Sequence, residues 1–183
     1  MLVETGALLE GHFLLSSGLH SDRYVQCARL LRLPDKAEIA FGALAELWRD
    51  RKIDKVVGPA LGAVVAAYEL ARQLGCEGIF TERVDGAMAL RRGFDITAGE
   101  RVLIVEDVVT TGKSAREVAD LARSRGAEVV GLASLIDRSV SPPDFVDDFR
   151  ALVRLEFATH KPEECPLCKA GGAPVKPGSR PQP

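Results

Sequence analysis

The sequence predicts an α/β fold, a mainly parallel sheet flanked by helices. Three observations carry that expectation. Val102-Leu103-Ile104-Val105 is a short apolar run rich in β-branched residues, the pattern of a strand buried on both faces. Lys55-Val56-Val57-Gly58 is a second strand-like run, and it enters the turn Gly58-Pro59-Ala60-Leu61-Gly62. Each run is followed by apolar residues at helical spacing, so strands and helices alternate as parallel sheets require.

Bulk properties narrow the class. At 183 residues the chain reads as a single domain over 1–183, with no repeat and no linker suggesting a second. An apolar share of 46% with 27% charged residues is that of an ordinary globular protein. A net charge of −2 argues against a general nucleic-acid binder, which carries a basic excess. No apolar run approaches membrane-spanning length, and the N-terminus lacks a basic start with an apolar signal core, so the expected setting is the cytosol. Cys27, Cys76, Cys165 and Cys168 are too few and too scattered for a secreted disulfide framework.

Taken in order, residues 1–30 read as a short helix and then a hairpin-like segment. Leu2, Leu8 and Leu9 would line the helix, with Gly11 ending it. Phe13 to Leu15 and Tyr24 to Gln26 read as short strands around a Ser16-Ser17-Gly18 turn. A helix is expected over 34–52, with Pro34 in its first turn, Ala40, Leu44 and Leu47 at helical spacing, and Trp48 as a core or interface anchor. The helix from Ala63 to Leu74 ends at Gly75, a natural left-handed terminus. Gly78 to Thr81 is a short strand, and the breaks at Gly93-Phe94 and Ala98-Gly99 fit a hairpin leading back to the central strand. Later, Ala115, Val118, Ala119 and Ala122 define a helix closed by Gly126. Ala127 to Ile136 is an apolar strand ending in Asp137-Arg138; Ser141 to Asp144 is a turn, and Leu152 to Phe157 alternates like a last strand.

Beyond His160 the composition shifts, because six of the ten prolines fall between 162 and 183. That stretch is expected to be irregular, wrapping the body or disordered. Cys165-Pro166-Leu167-Cys168 has the spacing of half a zinc site, but it is the one such pair in the chain. His160 is available as a third ligand, which leaves the fourth to solvent or a partner chain. Free thiols are the alternative reading.

The chemistry concentrates between Arg101 and Ser114. Glu106 and Asp107 stand where the apolar strand should end, and Thr110-Thr111-Gly112-Lys113-Ser114 leads into the next helix. The hydroxyls, the glycine and a helix N-terminus suit a phosphate. Two carboxylates do not, since like charges repel; they suit hydroxyl groups or a hydrated Mg²⁺. A phosphate cradle beside a hydroxyl-binding acidic pair describes a ribose 5-phosphate. Gly112-Lys113-Ser114 also invites a nucleotide P-loop, but that motif needs a glycine five residues before its second one, and position 107 is Asp. A plain helix cap would need one short polar residue rather than the whole run.

The stretch Val105-Glu106-Asp107-Val108-Val109-Thr110-Thr111-Gly112 resembles the phosphoribosyl-pyrophosphate (PRPP) motif of the type I phosphoribosyltransferases. Across most of the chain the resemblance is to the orotate branch, through Phe13-Leu14-Leu15-Ser16-Ser17-Gly18 with Ser21 and Tyr24, the turn from Gly58 to Gly62, and Ile136-Asp137-Arg138. It implies a type I phosphoribosyltransferase-like fold: residues 1–33 as a hood over the base, an α/β core over 34–160 and a proline-rich tail over 161–183. It places the 5-phosphate and ribose on Glu106, Asp107, Val108, Val109, Thr110, Thr111, Gly112, Lys113 and Ser114, and pyrophosphate on Ala60, Leu61 and Gly62. Arg83 stands where the family's first loop arginine does. Orotate would meet Thr110, Arg138, Ser16 and Tyr24, a guanidinium gripping its carboxylate in a two-pronged way. His12 and His20 read as surface or hood residues rather than catalysts.

Two departures stand out. A lysine usually occupies the position of Ser16, and most relatives carry lysines and a histidine in the loop that here reads Glu82 to Phe94. Arg91 and Arg92 are the cations this loop offers to a leaving pyrophosphate, where charge develops in the transition state; the plainer reading makes them solvated hairpin charges. The resemblance also implies Mg²⁺ with PRPP and a homodimer sharing the loop between subunits, with no nucleic-acid or membrane partner. Glu106, Asp107, Arg83, Arg91 and Arg92 are thus the expected catalytic set for making orotidine 5′-monophosphate and pyrophosphate. The competing readings are a transferase for another base, or a regulatory nucleic-acid-binding protein on the same fold.

Overall fold

The computed structural model describes residues 1–15 and 17–177; Ser16, one of the expected orotate contacts, lies outside the described residues. The chain forms two compact units: Leu33–Leu155, and Met1–Arg32 together with the described residues from Glu156 onward. In chain order the elements are β1 (Leu8–Leu14), β2 (His20–Val25), α1 (Ala28–Leu31), α2 (Pro34–Glu46), β3 (Lys55–Pro59), α3 (Val64–Leu74), β4 (Glu77–Val84), β5 (Ala87–Ala89), β6 (Arg101–Val109), α4 (Lys113–Ser124), β7 (Glu128–Asp137), β8 (Phe149–Arg154), β9 (Thr159–His160) and α5 (Pro166–Lys169). No helix among the described residues is long and apolar enough to cross a membrane.

The larger unit is built on a six-stranded sheet in the order β5-β4-β3-β6-β7-β8. Strands β4, β3, β6, β7 and β8 run parallel, and β5 turns back antiparallel on β4. Val102 to Val105 are fully buried, which explains why β6 is a continuous apolar run rather than an alternating one. Helix α4 lays Ala115, Val118, Ala119 and Ala122 into the same core, with Val57, Ile104 and Leu132 from three neighbouring strands. Helix α2 buries Ala37, Ala40, Phe41, Leu44 and Ala45 at helical spacing. It stops at Glu46, short of the expected residue 52, and Leu47 is exposed instead of lining the apolar face. Trp48 is the core anchor: its ring is fully buried, with the Arg150 guanidinium 4.6 Å from its centroid.

The hairpin after β4 turns at Asp85-Gly86, both with positive φ, rather than near Gly93. That is the backbone a two-residue turn needs to match the strands' twist. Strand β6 continues to Val109, so Glu106 and Asp107 lie within it and not beyond its end.

The smaller unit contains a three-stranded sheet, β1-β2-β9. No helix forms over Leu2 to Gly11, as the apolar spacing there had suggested. Leu8 and Leu9 belong to β1, where they face Val25 and Tyr24 of β2; cross-strand pairing outweighs a weak local helix pattern. The described part of the proline-rich tail holds a 3₁₀ turn at Pro162–Glu164, then α5, and Val175 exchanges backbone hydrogen bonds with β1, Val175 N to His12 O at 2.8 Å and Leu14 N to Val175 O at 2.9 Å.

Packing around Trp48 gives a sharp test. A Cβ placed on Gly131 of β7 would lie 2.5 Å from both Asp148 O and the Trp48 ring. Gly131→Ala should therefore cost about 2–3 kcal/mol. Gly42→Ala, inside α2 with nothing nearer than 3.7 Å, should stabilise by about 0.5–1 kcal/mol. Urea unfolding of both variants measures the contrast; equal effects would contradict this packing.

Candidate active site

Strands β3 and β6 are neighbours, yet the chain leaves them in opposite directions, through α3 to β4 on one side and through α4 to β7 on the other. In open α/β sheets the crevice at such a divergence, at the carboxyl ends of the strands, is where ligands bind. Both motifs singled out from the sequence end there.

The first is the turn after β3. Ala60 N donates to Thr81 O at 2.8 Å and Val64 N to Leu61 O at 3.2 Å, so the turn is tied to β4 and closed on itself. The Ala60–Leu61 peptide is cis, and the Leu61 side chain is exposed. Gly62 lies directly against the second motif: a Cβ on it would stand 3.3 Å from Asp107 Oδ1 and 3.5 Å from Oδ2. The missing side chain leaves room between turn and carboxylate.

Glu106 and Asp107 occupy the last part of β6. Asp107 Oδ1 accepts a hydrogen bond from Val108 N at 2.8 Å. Burial first, and then repulsion from Asp107, push the Glu106 carboxyl up to about 8. Asp107 is also raised by burial, against backbone hydrogen bonds that favour its charged form. A half-buried acidic pair held in this state suits a cation or hydroxyl donors, either of which would lower the cost of charging it. It is poorly suited to an anion.

Val109 is buried, whereas Thr110, Thr111 and Lys113 are exposed and Ser114 is half-buried. Gly112, at φ +68°, turns the chain into α4, and its neighbour Phe145 packs where a Cβ would go, at 3.1 Å. No side chain caps this helix at Gly112, so its first-turn N–H groups face an anion-favouring helix end. Lys113 N reaches Thr111 Oγ1 at 3.4 Å.

The loop cations divide. Arg83 and Arg92 line a cavity of about 340 Å³ with Ala60, Leu61, Phe80 and Glu82, so both share a space with the β3 turn. Arg83 also pairs with Glu117 of α4 and with the Gly86 carbonyl. Arg92 pairs with Glu82 and stands 5.8 Å from the Phe80 ring centroid, while Arg91 makes a longer contact of 3.9 Å to the same carboxylate. Glu82, Phe80 and Glu117 were missed in the sequence, where nothing marks an acidic residue as the counter-ion of arginines nine or more positions away.

Arg138 follows β7, and its N–H donates to Val109 O at 2.8 Å, which seats it beside the end of the acidic strand. Nearby, Asp137 pairs with Ser139 and Arg154, and Asp144 with Arg116. Tyr24 belongs to the smaller unit, its ring 5.9 Å from that of Phe13.

The raised Glu106 makes a prediction with a definite sign. The folded chain keeps a proton that the unfolded chain releases near 4.5, so stability falls as pH rises from there to about 8. Glu106→Gln should melt several degrees above the parent at pH 8, with the difference shrinking towards pH 5. A difference independent of pH would show that the carboxyl titrates normally.

Comparison with known proteins agrees with this geometry. A phosphoribosyl transferase domain model matches residues 28–162. Orotate phosphoribosyltransferase from Caldicellulosiruptor bescii is 54% identical over 180 residues, covering 98% of this chain and 95% of its own. That of Thermotoga petrophila is 51% identical, covering 98% and 96%. Among solved structures, orotate phosphoribosyltransferase from Aeropyrum pernix superposes with a TM-score of 0.72 at 29% identity, over 84% of this chain and 91% of that one. Adenine phosphoribosyltransferase from Rhodothermus marinus reaches a TM-score of 0.58 at 27% identity, over 73% and 87%. With a mainly parallel sheet whose two ligand motifs meet at its switch point, the chain belongs to the phosphoribosyl transferase family, in its orotate phosphoribosyltransferase branch.

Proposed function

We propose that the chain transfers the 5-phosphoribosyl group of PRPP to orotate, giving orotidine 5′-monophosphate and pyrophosphate in pyrimidine synthesis. The observation that carries this reading is the approach of Gly62 to Asp107 at the divergence of β3 and β6. It sets a turn suited to pyrophosphate against carboxylates suited to a ribose.

In this mechanism the start of α4, with Thr110 to Ser114, holds the 5-phosphate, a remote handle whose binding energy orients the anomeric carbon. Glu106 and Asp107 take the ribose hydroxyls and face the positive charge that grows on the sugar as the glycosidic bond to pyrophosphate breaks. Backbone N–H groups of Ala60, Leu61 and Gly62 receive the pyrophosphate. Arg83 and Arg92, which share the adjoining cavity, stabilise the charge developing on it, with Arg91 next to them on Glu82. A hydrated Mg²⁺ accompanying PRPP would fit beside the acidic pair with no direct side-chain ligand, since a cation there would relieve the burial and repulsion that raise Glu106; it would supply charge neutralisation for the leaving group. Thr110 and Arg138 take the orotate carboxylate, and Ser16 and Tyr24 are further base contacts. A cytosolic setting and a homodimer that shares the loop from Glu82 to Phe94 between its subunits complete the proposal.

The roles separate in steady-state kinetics. Asp107→Asn should lower kcat by roughly 10²–10³ while the fold is kept. Arg138→Ala should raise the KM for orotate by roughly 10–100-fold and leave that for PRPP unchanged, with Arg138→Lys recovering little, because an ammonium cannot form the paired contact. An Arg138→Ala enzyme with an unaltered orotate KM would contradict the assignment.

A further inference from the structure

We infer that His12, His20, Cys165 and Cys168 form a structural zinc site. The ligand atoms of these four residues all lie within 4.8 Å of one another. His12 Nε2 is 3.4 Å from Cys165 Sγ, 3.7 Å from Cys168 Sγ and 2.9 Å from His20 Nδ1, and Cys168 Sγ is 3.3 Å from His20 Nδ1. Zinc–sulfur and zinc–nitrogen bonds of about 2.3 and 2.05 Å at tetrahedral angles put ligand pairs roughly 3.3–3.8 Å apart. The three sulfur–nitrogen distances, 3.3–3.7 Å, fall in that range, and the His12–His20 distance of 2.9 Å is somewhat shorter.

The fold explains how residues 153 positions apart come to converge. In the β1–β2 hairpin His20 pairs with Leu14, and His12 lies two residues before Leu14, in the irregular stretch between Glu10 and Phe13 where the register shifts. The two imidazole rings meet edge-on with centroids 4.9 Å apart. Cys165 immediately precedes α5 and Cys168 lies within it, so a single helical turn brings both sulfurs to the same side. The backbone bonds between Val175 and β1 hold this segment against the strand that carries His12. Cys165 is 1% exposed and His20 5%, so the donors converge away from water. Among the described residues His12 Nδ1 is buried with no hydrogen-bond partner, and the polar contacts of that ring run through Nε2.

The donor chemistry selects the ion. Two thiolates with two imidazoles in a tetrahedral set favour zinc over hard cations such as Mg²⁺ or Ca²⁺. Binding releases the two thiol protons to solvent and leaves a neutral centre. Four protein ligands fill the coordination sphere, so no position remains for substrate, and the role is structural. Such a site ties the C-terminal segment to the hairpin in a unit with a small apolar core, where metal binding adds directly to folding stability. His160, which the sequence offered as a third ligand, is not in the set; it faces His20 across β2 and β9.

The test is metal analysis of the full-length chain, purified without chelators and then exposed to Zn²⁺ under reducing conditions. About one zinc per chain is expected. Cys168→Ser and His20→Ala should each lose at least tenfold in retained zinc, while His160→Ala keeps it. Because a ligand variant can simply fail to fold, the parent is also stripped and reloaded. Its melting temperature should fall on removal of zinc and return with Zn²⁺ but not with Mg²⁺, and a Co²⁺-loaded sample should show tetrahedral cobalt absorption with thiolate charge transfer. A parent chain that retains no zinc, or ligand variants with the parent's zinc content, would overturn the site. All readouts are independent of turnover.

Discussion

Everything in the larger unit depends on two parallel strands lying side by side while their connections diverge. Because β3 and β6 are adjacent, two turns separated by more than forty residues open onto one crevice. That placement puts a neutral, glycine-flanked turn so near the Asp107 carboxylate that a Cβ on Gly62 would crowd it. The surrounding packing serves to fix it: the alanine and valine face of α4 on β6 and Trp48 against Gly131 of β7 leave little freedom for the sheet to shear.

The electrostatics follow from the same placement. Carboxylates within the last residues of a buried strand are costly to charge, and Glu106 is raised accordingly. A site that stores this cost is less stable alone than with a ligand that satisfies the pair. On the opposite side of the crevice Arg83, Arg91 and Arg92 are held by Glu117 and Glu82. Those carboxylates keep the loop cations in place.

Legibility in the sequence followed the strength of local patterns. Val102 to Val105, and the spacing of Ala115, Val118, Ala119 and Ala122, identified β6 and α4 because burial on both faces and a 3.6-residue period are hard to produce by chance. The acidic pair and the threonine turn stood out for a similar reason, as a dense run of polar residues at the end of an apolar strand. Leu2 to Gly11 was misread as a helix because its partner strand is supplied by residues more than ten positions away. The ion pairs of Glu82 and Glu117, and the meeting of His12 and His20 with Cys165 and Cys168, depend on tertiary register, which no local spacing encodes. Half of that cysteine cluster was visible as a pair; the histidines belong to a hairpin whose alignment had first to be known.

The account rests most heavily on the identity of the base. Orotate absorbance followed after mixing the purified chain with PRPP and Mg²⁺, with uracil and adenine in parallel, tests it directly. Orotate should be consumed, with the other bases turned over at least roughly a hundredfold more slowly, because a guanidinium set for a carboxylate is left unmatched by either. Equal or faster turnover of uracil or adenine would contradict the assignment of Arg138. PRPP binding without turnover of any base would contradict the transferase mechanism itself.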